Sequence, residues 1–175
     1  MNRLAMKSSR RGIHTSAILL ALGAACVGLT QTASGIPDAA TTDMQPDYHP
    51  SMGDLMTMAV QPRHIKLGLA GRQQNWSYAS YELSELRNAF ARIARTIPKY
   101  RSMDTAQMTT AMTQAPFGAL EQAIKARNVA QFTAAYAQLT QGCNVCHQSQ
   151  NHGAVVIKVP DAPMFPDQDF QPAPR

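Results

Sequence analysis

Cys143 and Cys146 stand three positions apart and His147 follows at once, in the run Cys143-Asn144-Val145-Cys146-His147. Two thiols at this spacing can each form a thioether with one of the two vinyl groups of a porphyrin. The adjoining imidazole then comes to lie under the iron. Such a tether keeps the group on a small domain without a deep pocket, and it holds the proximal nitrogen through both oxidation states. The motif therefore predicts haem c, one per chain, attached covalently through Cys143 and Cys146, with His147 as proximal iron ligand.

Other chemistries use part of the same motif. A redox dithiol also has two cysteines three apart, but it normally opens a helix after a strand. Here the pair closes a helical pattern. Zinc needs four ligands, and there is no second cysteine pair; only His147 and His152 could complete such a set. In an exported chain the two thiols could also form a disulfide.

These residues need a helix to carry them. Val129, Phe132, Tyr136, Leu139, Cys143 and Cys146 repeat at steps of three and four, so the motif cysteines continue the buried stripe of a helix that begins at about Asn128. Three further helices are legible upstream. The first starts at Ser51, where Ser51 and Asp54 form a capping-box pattern, and Pro62 is expected to kink or split it. The second carries Ala79, Leu83, Leu86, Phe90, Ile93 and Ile97 on one face, with Asn75 or Ser77 as cap and Pro98 as stop. The third runs from about Thr105 to Arg127 with Met108, Met112, Leu120 and Ile124 inward, and Pro116 should bend it. Four such helices with short connections predict an all-α, antiparallel four-helix bundle over 51–153. Residues 154–175 hold five of the eleven prolines and read as an extended tail. Val155, Val156, Ile157, Met164, Phe165 and Phe170 could pack it along the bundle; the alternative is a loose tail.

Residues 1–35 have the pattern of a signal peptide. Arg3, Lys7, Arg10 and Arg11 precede an apolar run, Ile18–Leu29, too short to span a membrane, and small residues follow up to Gly35. Arg10-Arg11 is a twin-arginine pair, a common occurrence in a basic leader. Cys26 is a weak candidate for lipidation, because Gly23 stands where a large aliphatic residue is expected. Residues 36–50, with three prolines and three aspartates, read as a linker. Of the 175 residues, 16 are Lys or Arg and 11 are Asp or Glu. Without the four basic residues of the leader, 12 basic side chains face 11 acidic ones, a net charge of +1. No basic stripe survives to suggest nucleic acid, and a membrane would be met only through the signal or a lipid anchor.

The four helical patterns, with Cys-Asn-Val-Cys-His near the end of the last, resemble the class II cytochromes c, the group of cytochrome c-prime and its low-spin relatives. The resemblance covers about residues 50–152. Class I cytochromes c place this motif near the N-terminus instead. The resemblance implies a periplasmic four-helix bundle, often a homodimer, with one haem on Cys143 and Cys146 and His147 as proximal ligand. The long tail after His152 departs from the family pattern.

The sixth ligand of the iron would decide between two functions. A methionine or histidine there gives an electron carrier, while an open position gives a protein that binds NO or CO. In an up-down-up-down bundle the end of the fourth helix lies beside the start of the first and of the third. Met52, Met56 and Met58 lie in the first region, and Met103, Met108 and Met112 in the second. The family takes its distal residue from the first helix, which makes Met56 the first choice and Met58 the second. His64 competes, but it lies about 12 Å further along the axis than Met56. His49 falls in the linker, and His152 is on the proximal side. The expected function is periplasmic electron transfer with redox partner proteins. No nucleophile–base pair or paired carboxylates suggest an enzyme.

Overall fold

The computed structural model describes residues 47–162 and 164–173; the expected leader 1–35, Cys26 and most of the linker lie outside them. Ser51 opens the first helix with the expected capping box. Its hydroxyl accepts the Asp54 N–H at 3.1 Å, and the Asp54 carboxylate accepts the Ser51 N–H at 2.8 Å. α1 (Met52–Leu55), a π-helical turn (Met56–Val60) and α2 (Gln61–Arg72) then follow without interruption. Pro62 was expected to kink or split this helix, yet the helix continues through it. Pro62 has no N–H for the carbonyl four residues earlier. The wide turn just before it takes up the misfit, and the Gln61 N–H reaches back five residues to the Met56 carbonyl.

α3 (Trp76–Thr96), α4 (Thr105–Lys125) and α5 (Val129–Ser149) complete the bundle. Asn75, Asp104 and Asn128 cap their starts by accepting the N–H of Tyr78, Gln107 and Gln131. α2, α4 and α5 share one ending. A left-handed residue (Gln74, Arg127 or Asn151, φ 57, 52 and 61°) is followed by an N–H that reaches back five residues, from Asn75 to Ala70, from Asn128 to Ala123 and from His152 to His147. This is the Schellman ending. After α2 and α4 the asparagine that closes it also caps the next helix, so each new helix must run back beside its predecessor. Between α3 and α4 the chain instead makes a small hairpin, β1 (Lys99–Tyr100) with β2 (Met103–Asp104), Tyr100 pairing with Met103.

The fold is therefore the antiparallel four-helix bundle the periodicity predicts. α4 packs most closely on α5, and α2 on α3. Leu86, Ile93, Leu120, Phe132 and Leu139 are each at most 1% exposed, and burial of each contributes about 1.5–3 kcal/mol. Phe90 and Ile97, expected on the same face, are half-buried. At the α2–α3 seam Arg63 holds the buried Glu82 carboxylate at 3.2 Å. No helix among the described residues is long and apolar enough to cross a membrane.

The C-terminal segment is extended, as its prolines require, and it is bound to the bundle. Pro160 and Phe170 are buried, Phe170 stacks on Tyr78 with ring centres 5.5 Å apart, and Tyr78 donates to the Gln168 side chain at 2.8 Å. Asn75 gives a further bond to the Gln171 carbonyl at 2.9 Å. The segment thus runs from the end of α5 back to the α2–α3 turn.

Candidate functional site

A cavity of about 290 Å³ opens where the end of α5 meets the start of the first helix. Its walls are Met52, Met56, Val60 and His64 from the first helix, Met108 and Met112 from α4, and Cys143, Cys146 and His147 from α5. Val155 and Ile157 of the tail close one side. The lining is mainly apolar, at the small end of the ~300–1,000 Å³ typical of ligand sites.

Pro116 and Gly142 bring α4 and α5 together here. Pro116 has no N–H to give the Met112 carbonyl four residues back. Gly142 packs against that same carbonyl, so closely that a Cβ at 142 would lie 2.7 Å from its oxygen. The missing side chain lets α5 approach α4 closely, next to the cavity that Cys143, Cys146, Met108 and Met112 line together. Pro116 does not end α4, which runs on to Lys125.

Cys143 and Cys146 are free thiols, half-buried on the cavity wall. Burial, and secondarily the neighbouring Cys146, pushes the Cys143 thiol up to about 11; burial also raises Cys146. Both therefore remain thiols at neutral pH. A redox dithiol needs a readily formed thiolate. Among the described residues no three His, Cys, Asp or Glu side chains converge as metal ligands.

His147 sits in the last turn of α5. Its Nδ1 lies 2.8 Å from the Val155 carbonyl oxygen. A carbonyl only accepts, so Nδ1 carries the proton, and in the neutral ring Nε2 is the nitrogen with the lone pair. The Schellman ending of α5 turns the chain so that Val155 can reach back to this ring. Asn144, inside the motif, binds Ile157 of the same segment on both its N–H and its carbonyl.

His64 is held differently. It is 4% exposed, with Nε2 3.0 Å from Thr140 Oγ1 and Nδ1 3.0 Å from Tyr136 Oη. The Tyr136 hydroxyl also donates to the His64 carbonyl at 2.6 Å. Gly68 makes this possible, since a Cβ there would fall 2.6 Å from the Tyr136 ring. Burial lowers the His64 pKa to about 4, so the ring is neutral at pH 7.

The remaining candidates separate cleanly. Met56 lines the cavity, whereas Met58 is 61% exposed and lies outside the lining. Met103, in β2, accepts a bond from the Gln150 amide at 2.7 Å and is also outside it. His152 is at the rim, its Nε2 2.9 Å from the Tyr100 hydroxyl. His49 is exposed beside Asp47. Sequence reasoning missed Asn144, the Val155 carbonyl, and Tyr136 and Thr140 as partners of His64. A polar residue within an otherwise buried stripe was the available signal for Asn144 and Thr140. Nothing in the sequence marks a backbone carbonyl. Comparison with protein-family models, with curated proteins and with solved structures found no match to this chain.

Proposed function

We propose that this chain is an exported, periplasmic monohaem c-type cytochrome that works in electron transfer. It would hold one covalent haem c through Cys143 and Cys146, with His147 as proximal ligand. The carrying observation is His147 itself. Its Nδ1–H is committed to a backbone carbonyl, its other nitrogen keeps a lone pair, and it shares an apolar cavity wall with both motif thiols. Kinship with the class II cytochromes c belongs to the same proposal, with redox proteins as partners and a homodimer as the expected assembly.

The residues suit this group better than a bare ion. Each thiol would add across one vinyl group, forming an S–C bond while the thiol hydrogen passes to the neighbouring carbon, with no net oxidation. Protonated, half-buried thiols supply that hydrogen. Bound haem supplies one-electron exchange between ferric and ferrous iron. The chain's part is attachment, orientation of the imidazole by Val155, and exclusion of water by Met52, Met56, Val60, Met108 and Ile157. Met56 is the proposed distal ligand. His64, with both nitrogens engaged, is assigned to the cavity wall.

Absorption spectra of the exported wild type and of Met56→Ala test this reading. A split ferrous α-band without CO response is expected for wild type, and a high-spin, CO-sensitive spectrum for Met56→Ala. A CO-sensitive wild type would favour the five-coordinate reading, a protein that binds or scavenges NO or CO. Absence of added porphyrin mass would remove both and leave the zinc or dithiol alternative.

A further inference from the structure

We infer that Asn144, the first of the two residues between the cysteines, is a positioning residue that sets His147 through the C-terminal strap. This rests on the haem reading above. The Asn144 amide makes two bonds to one residue. Its Nδ2–H donates to the Ile157 carbonyl at 2.9 Å, and its Oδ1 accepts the Ile157 N–H at 2.7 Å. A neighbouring β-strand would offer the same pair of bonds; here a side chain supplies them. They fix both the place and the direction of the chain two residues beyond Val155.

Val155 is also held from the other side, because its N–H donates to the His152 carbonyl at 2.9 Å. Its carbonyl is thereby suspended between two anchors, 2.8 Å from His147 Nδ1. Packing holds this stretch only at Ile157, which is half-buried on the cavity wall. Val155 and Val156 are 54% and 68% exposed. The well-buried anchors of the segment, Pro160 and Phe170, come later in the chain. The amide of Asn144 is what keeps the carbonyl in reach of the ring.

A carbonyl on Nδ1 fixes the imidazole plane and raises its basicity toward a metal at Nε2. A more basic ligand favours the ferric state. Asn144 thus acts on the iron through two intermediaries, Val155 and His147, without touching it.

The test uses the exported full-length protein carrying its haem. Solvent exchange of the His147 ring Nδ1–H is measured by NMR in the ferrous state, beside the protein mass. Asn144→Ala should accelerate exchange about tenfold, the equivalent of one ordinary hydrogen bond. Asn144→Asp keeps the acceptor for the Ile157 N–H but loses the donor, and should fall between; it decides the matter if Asn144→Ala does not fold. Tyr78→Phe, which loosens the far end of the same segment, should leave the rate at the wild-type value. A variant with full porphyrin mass and an unchanged rate overturns the inference alone, and so does equal acceleration by Tyr78→Phe. A wild type without porphyrin mass overturns the haem reading and this inference together.

Discussion

Of the three histidines around the cavity, His64 and His147 are tied in opposite ways. His64, in the first turn of α2, meets two hydroxyls from α5, one against each ring nitrogen. His147, in the last turn of α5, meets one carbonyl from the tail and has one nitrogen left over. Burial alone does not make a ligand. The more deeply buried of the two is the one with a hydroxyl against each ring nitrogen. A side chain bonded at both ends is structural, while one bonded at a single end is oriented and still available.

Exchange of each histidine for leucine breaks this comparison most sharply. On the proposed haem reading, His147→Leu should abolish the wild-type ferric and ferrous spectra while the thioether mass remains. His64→Leu should leave the spin state unchanged. Equal spectral change in both would end the distinction.

Acidification is expected to act on His64 next. Its folded pKa of about 4 lies below the ordinary 6.5, because burial disfavours the imidazolium. Its stabilising contribution is therefore complete above pH 6.5 and is lost as pH falls through about 4. At ~1.36 kcal/mol per pH unit the loss approaches about 3 kcal/mol. Denaturant unfolding across that window should show it, and His64→Leu should flatten the slope. Tyr136 and Cys143 beside it are both raised by burial and stay neutral there.

Smaller still is the effect of Tyr136→Phe. It leaves the His64 Nδ1 without its partner inside the core, at about 1–3 kcal/mol, measured by the same unfolding experiment without change in the spectrum. Tyr78→Phe, far from either histidine, should lower stability by about 1 kcal/mol and leave both rings as they were.

The contrast was only partly legible in the sequence. Helix ends were, because their signals are local: Ser51 with Asp54, Asn75 and Asn128 all cap where their residue types suggest. The stripe on α5 was legible too, and it places both cysteines on the cavity wall. Asp104 as a cap was not foreseen, because the hairpin before it carries no strong turn signal. The His64 bonds join residues 72 and 76 positions apart, beyond the reach of any local pattern. Met58 was offered beside Met56 because both lie in the stretch of the first helix that faces the motif, and nothing so local tells which of the two is exposed. The tail was ambiguous, since its bonds run through Asn144, Asn75 and Tyr78, each of which had a sufficient helical role of its own.

The π-helical turn before Pro62 carries a consequence for how the first helix can vary. It lodges one extra residue where an ordinary helix would have none. In an α-helix each residue advances the azimuth by about 100°. Were Met56–Val60 to wind as an ordinary α-helix at unchanged length, everything before it would swing by about 100° relative to α2, the azimuth of one residue. Met52 and its neighbours would then turn away from the thiols, although no residue on the cavity wall had been replaced. Removing one residue together with the wide turn would bring the phase back, so winding and length are constrained here as a pair.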